Sequence, residues 1–218
     1  MTRHRLTLTF DNGPSAETTA GVLDLLRDRG LAAWFCVVGE RVAAPGGAEL
    51  VRRTLDEGHR IVNHSMTHQV PLGDDPSADH AYREIVEAGG VLDEAVGQWG
   101  ARWFRPFGRG GLLGPHVFSD PALALFREHG YSVVLWNSVP RDWEDHEGWV
   151  DTALRDIDGH DHTVVVLHDL PTGAMEHLPR FLDEVAARDV EVTLDLPPDC
   201  VPVASGEPQW DLGDLTAA

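Results

Sequence analysis

Apolar runs of strand length alternate with helix-length amphipathic segments along nearly the whole chain, and the runs end on residues that can bind metal or move protons. Leu6–Phe10 leads into Asp11, and Thr163–Leu167 into His168. Arg60–Asn63 leads into His64 and, four residues on, His68. Ala101–Phe104 delivers Arg105, and Ser132–Trp136 is followed after a short loop by Asp142. Such alternation builds a mostly parallel sheet wrapped by helices. In that architecture side chains just past the carboxyl ends of the strands converge on one face, where active sites sit. Five such coincidences in one chain predict an active site.

The intervening segments carry helix signals. Glu17–Arg29 places Val22, Leu25 and Leu26 on one face and stops at Gly30. Ala48–Glu57, Pro121–His129, Gly148–Ile157 and Met175–Arg188 read as further helices. Ser77 is a natural N-cap for a long helix over Asp79–Val96, with Ile85, Val86, Val91, Leu92 and Val96 turned inward. Ala32–Val38 is nearly all apolar, as a strand buried on both faces should be. With Tyr131–Trp136 and Val190–Leu194 the expected fold is α/β, a distorted or incomplete (β/α) barrel with about seven parallel strands. Residues 1–203 are expected to form one domain, and the Gly-, Pro- and Asp-rich residues 204–218 a loose tail.

Composition excludes several function classes. With 36 acidic against 17 basic residues, a formal charge of −19, the chain is unsuited to nucleic acid, whose phosphates demand clustered Lys and Arg. The glycine-rich Gly108–Gly114 lacks the Gly-Lys-Ser/Thr ending of a phosphate loop, which removes nucleotide binding. No apolar run approaches the roughly 20 residues of a membrane span. A first strand beginning near Leu6 leaves no room for a signal peptide, so the expected location is cytoplasmic, or the chain is a trimmed form of an exported protein. Two cysteines, Cys36 and Cys200, exclude a disulfide scaffold, and Cys36 is expected as a buried free thiol.

In His64-Ser-Met-Thr-His68 two imidazoles four residues apart, on one face of a helical turn, can bind one divalent ion. Asn63 precedes them and is placed to support them with hydrogen bonds. In Thr9-Phe-Asp-Asn-Gly-Pro14 the carboxylate of Asp11 is held on a sharp turn, a candidate general base or third metal ligand; the same tetrapeptide also serves as an ordinary turn. Hydrolysing an amide or ester with a metal needs a Lewis acid, a base for water, an acid for the leaving group and donors for the oxyanion. This chain offers a candidate for each.

The motifs, in their order and spacing, resemble those of the polysaccharide deacetylases, the NodB-homology domain of carbohydrate esterase family 4, from about Leu6 to Pro202. Thr9–Pro14 is similar to T-F-D-D-G-P, His64–His68 matches H-[S/T]-x-x-H, and Phe104-Arg-Pro-Phe-Gly108 resembles R-P-P-Y-G. Arg141-Asp-Trp143 resembles the end of D-x-x-D-W, Leu167-His168 the fifth motif, and Ala33–Glu40 the segment after the first helix. The resemblance implies Asp11 as catalytic base, His168 as general acid, Arg105 orienting Asp11, and Asp142 paired with His168. It implies His64, His68 and Asn12 as ligands of one divalent metal, zinc foremost with cobalt or nickel as alternatives. Trp143 and Leu167 would wall the acyl pocket, with Phe107 where the family carries Tyr. Three departures stand out: Asn12 replaces an aspartate ligand, the third motif is one residue short, and Val139 replaces the first Asp of the fourth. The implied activity is removal of N-acetyl groups from N-acetylglucosamine-containing poly- or oligosaccharide. Two other readings stay open: hydrolysis of a small-molecule ureide or amide, possibly without metal, and a silent carbohydrate-binding domain stacking sugars on Trp136, Trp143 and Trp149.

Overall fold

A computed structural model describes residues 3–217. In chain order the elements begin β1 (Arg5–Gly13), α1 (Thr19–Asp28), β2 (Trp34–Val37), α2 (Gly39–Ala43), α3 (Gly47–Asp56) and β3 (Arg60–Asn63). They continue with α4 (Ala78–Tyr82), α5 (Ala88–Val96), β4 (Trp103–Phe104), α6 (Asp120–His129) and β5 (Ser132–Val133). Next come α7 (Trp149–Gly159), β6 (His162–His168), α8 (Leu178–Ala187), β7 (Glu191–Val192), β8 (Val203–Ala204) and β9 (Glu207–Pro208).

The sheet runs β6-β1-β2-β3-β4-β5-β8-β9, with β7 on the first residues of β1. β1 to β7 pair in parallel, as the alternating pattern predicts. Ser138, beyond β5, bridges Val165 of β6 and closes the ring between β5 and β6, which among the described residues share no strand pairing. The result is the distorted (β/α) barrel expected from the sequence.

β1 sits at the centre because both of its faces can be buried. Leu6, Leu8 and Phe10 join the main core under the helices with Leu23, Leu26 and Phe181. Thr7 and Thr9, on the alternate face, are also buried; their hydroxyls donate to the carbonyls of Asp195 and Val165. A second, smaller cluster of Trp34, Cys36, Val62 and Val134, with Trp103 against it, fills the barrel interior. Side chains of a strand alternate between faces. Two residues beyond Thr9, Val62, Trp103 and Val134 therefore lie Asp11, His64, Arg105 and Trp136, stacked above that interior cluster.

The structure corrects the sequence reading in three places. The long helix exists, with Ser77 Oγ accepting the His80 N–H at 3.3 Å, but a π-helical turn at Arg83–Glu87 interrupts it. The segment after Ala204 is no loose tail among the described residues. β8 and β9 form an antiparallel hairpin on β5, Leu212 is buried, and Thr216 pairs with Phe118. Short strands joined by Ser205-Gly206 carry too little apolar sequence to announce themselves, yet they cover the free edge of β5. Finally, His64–His68 is not a helical turn: Ser65 and His68 adopt positive φ of 70° and 55°, and the segment bends back on itself.

Candidate active site

At the carboxyl end of the barrel a cavity of about 250 Å³ is lined by Asp11, Asn12, His64, His68, Trp143 and His168, among others. Asp11 and His168 are register partners on adjacent strands β1 and β6, so the fold sets them side by side. Asp11 is buried, with one carboxylate oxygen 3.4 Å from Arg105 Nη1 and 3.6 Å from His64 Nε2. Burial would raise this carboxyl, but Arg105, His64 and His168 outweigh it and hold it below the usual carboxylate range. The Cys36 thiol, free and buried as expected, lies beside it and is itself pushed well up by burial. Arg105 is fully buried and stacks 5.4 Å over the Trp136 ring, so its orientation is fixed from both sides.

His168 Nδ1–H donates to Asp142 Oδ1 at 2.7 Å, and its backbone N–H donates to Asp142 Oδ2 at 2.9 Å. One buried carboxylate thus fixes both the ring's tautomer and the strand end that carries it. Burial opposes the imidazolium, yet the Asp142 bond and charge, with Asp11 and Asp169, raise its pKa above the ordinary value. Trp143 packs edge-on against the His168 ring at 5.0 Å.

His64 Nδ1–H donates to the Arg105 carbonyl at 2.8 Å, which leaves the Nε2 lone pair facing the cavity. The His68 ring lies 4.5 Å from that of His64 and 4.0 Å from Phe107, centroid to centroid. Burial lowers His64 and carries His68 down to about 3, so both are neutral donors at physiological pH. Asn12 sits at φ 71°, a conformation that Asn tolerates, and its Oδ1 is buried with no hydrogen-bond partner. Two free imidazole nitrogens and an orphaned amide oxygen at one cavity wall fit a divalent ion, held with one formal charge fewer than a carboxylate would supply.

The structure therefore brings together Asp11, Asn12, His64, His68, Phe107, Trp143 and His168 at the cavity, with Arg105 and Asp142 directly behind it. Leu167 does not belong there. Val166 and His168 face the cavity, so the residue between them points to the opposite side of β6, into the core. Val166 and Leu170 supply the wall instead, with Val139 and Trp136. Trp149 is fully buried, its Nε1–H bonded to the Ala174 carbonyl, and is no platform for a sugar.

Two residues that hold the site were not read from the sequence. Glu84, on the π-helical turn, is 1% exposed and accepts the N–H groups of Met66 and Thr67 at 3.0 and 2.9 Å, together with the Thr67 hydroxyl. Asn63, which was expected to support the pair, donates to the Ile85 carbonyl and accepts the Ser65 N–H. The second missed residue is Asp169, fully buried beside His168 and pushed up to about 7 by burial. A Glu inside an otherwise apolar helix face was a usable signal; Asp169 looked like a loop residue.

The fold and site define a (β/α)-barrel protein with a paired-imidazole centre flanked by a carboxylate and a third imidazole. A family model described as polysaccharide deacetylase matches residues 1–134, and the chain belongs to that family. The family implies a divalent metal. A peptidoglycan-N-acetylglucosamine deacetylase of Listeria monocytogenes is 29% identical over 195 residues, 89% of this chain and 39% of its own length. This chain thus spans about two fifths of that relative. A family 4 carbohydrate esterase from Streptomyces lividans, in complex with acetate, superposes with TM-score 0.73 at 25% identity, covering 94% of this chain and 99% of that one. A family 4 acetyl xylan esterase from Clostridium thermocellum, in complex with cobalt, gives TM-score 0.70 at 26% identity over 86% of both chains.

Proposed function

We propose that the chain is a metal-dependent hydrolase that removes N-acetyl groups from N-acetylglucosamine-containing poly- or oligosaccharide, with zinc as the working ion and cobalt or nickel as substitutes. His64, His68 and Asn12 hold the ion. When bound, it polarises the acyl carbonyl and makes water acidic enough to attack at neutral pH. Asp11 takes the proton of the attacking water. Its lowered pKa keeps it ionised, and Arg105 points one of its oxygens at the imidazole pair. His168, held as an imidazolium by its Nδ1–H bond to Asp142, gives its Nε2 proton to the leaving nitrogen. Val166, Leu170 and Trp143 keep water away from the acyl side.

The observation that carries this reading is the facing pair: a depressed carboxylate and a raised imidazole on adjacent strands, opening onto one cavity beside two neutral imidazoles. Such divergent environments are how one site holds both a base and an acid at one pH. The test is acetate release from chito-oligosaccharides before chelation, after chelation and after reloading with one zinc per chain. The expected result is loss and recovery of release. Release that persists after exhaustive chelation would overturn the metal's part and favour the small-molecule amide reading.

A further inference from the structure

The mechanism leaves unused the buried carboxyl of Asp169, beside the site. It follows His168 at the end of β6 and is fully buried. By strand alternation it points away from the cavity, toward the start of α1. There Oδ2 accepts the Thr19 hydroxyl, and Thr19 Oγ1 in turn accepts the Ser15 N–H at 2.7 Å. The flat of the carboxyl presses on Gly13: a Cβ built there would lie 2.5 Å from both carboxyl oxygens, closer than real atoms approach. Any larger residue at position 13 would push the carboxyl aside. Oδ1 is buried without a hydrogen-bond partner.

This one side chain therefore presses on Gly13 within the turn Asp11-Asn12-Gly13-Pro14 and, through Thr19, ties down the Ser15 N–H just after it; that turn carries a base and a metal donor in adjacent positions. It is covalently joined to the residue that carries the acid. A carboxyl group in such a place is costly unless its shape is needed, since an apolar residue would avoid the desolvation. Burial raises its pKa to about 7, which leaves the group partly protonated near neutral pH and reduces that cost without changing its shape.

We propose that Asp169 is a positioning residue: wedged between Gly13 and Thr19, it sets where the turn holds Asp11 and Asn12 relative to His168. It touches neither substrate nor ion. The proposal rests on the proposed metal site for its zinc arm and on the deacetylase reading for its kinetic arm. Misplacing a reacting group by about 1 Å can cost on the order of 100-fold in rate, and losing a support behind metal ligands costs about 10–100-fold in affinity or activity.

The test compares Asp169→Ala, Asp169→Asn and Thr19→Val in the full chain, by zinc titration, by kcat and KM for acetate release, and by thermal unfolding. Asp169→Ala is expected to weaken zinc binding about tenfold and to lower kcat by 10- to 100-fold with KM within about twofold. Asp169→Asn keeps the shape and an acceptor for Thr19, and is expected within about threefold of the parent on both readouts. Thr19→Val removes only the hydroxyl, and a few-fold loss in zinc affinity is expected even if Asp169→Ala does not fold. Folded Asp169→Ala or Thr19→Val with parental zinc affinity would overturn the proposal. So would equal damage from Asp169→Asn and Asp169→Ala, which would assign the effect to charge rather than shape. If the parent chain releases no acetate, the deacetylase reading falls, while the zinc arm still decides the place of Asp169.

Discussion

Asp142→Asn is the sharpest perturbation of the acid side, because one atom is exchanged and its consequences separate. Asp142 is fully buried and its two oxygens accept two N–H groups of the same residue, the ring Nδ1–H and the backbone N–H of His168. Asparagine has one acceptor oxygen, so with the ring in its present tautomer one of those donors meets an NH₂ group whichever way the amide turns. A buried donor left unsatisfied costs about 1–3 kcal/mol. For a chain of this size each kcal/mol lowers Tm by roughly 2–4 °C, so a drop of about 2–12 °C is expected. The charge effect is distinct. Replacing a charge-assisted bond by a neutral one loses about 1–2 kcal/mol of support for the imidazolium, a roughly five- to thirtyfold shift of its protonation equilibrium toward the neutral ring. Activity needs His168 protonated, so it falls as pH rises through that pKa; with Asp142 neutralised the fall begins at lower pH. The assay is kcat/KM for acetate release against pH, beside a melting curve. An alkaline limb that stays in place, with Tm lowered, would refute the pairing as the source of His168's acidity and leave Asp142 a purely structural anchor.

Asn12→Asp adds a negative charge at an atom that is now a buried, unpartnered amide oxygen, and Asp accepts the same positive φ. Zinc affinity, read by competition with a chelating dye, is expected to rise about tenfold or more; unchanged affinity would show that position 12 does not face the ion. Trp149→Ala removes a fully buried ring from the α7–α8 contact with Phe181. It is expected to cost about 3–5 kcal/mol in urea unfolding. Loss of sugar affinity with stability intact would restore it as a platform.

Apolar runs of strand length alternating with amphipathic helices made the barrel legible, and with it the strand ends that carry Asp11, His64, Arg105 and His168. The alternation of side chains along a strand, applied to β6, excludes Leu167 from the wall, because Val166 and His168 occupy the face toward the cavity. A motif resemblance placed it on the wrong side. What stayed hidden depends on backbone irregularity. The imidazole pair converges through two positive-φ residues, and Glu84 reaches the loop from a π-helical turn; neither leaves a periodic trace in the sequence. The β8–β9 hairpin was missed because it is two residues a side and is stabilised by the edge of β5 rather than by its own apolar content.

Asp11→Asn, assayed for bound zinc and for acetate release on the same sample, bears most directly on the division of labour between ion and base. The account predicts close to one zinc per chain retained, with release reduced by at least about 100-fold, since the amide cannot take the water's proton. Release within tenfold of the parent, with zinc in place, would contradict it.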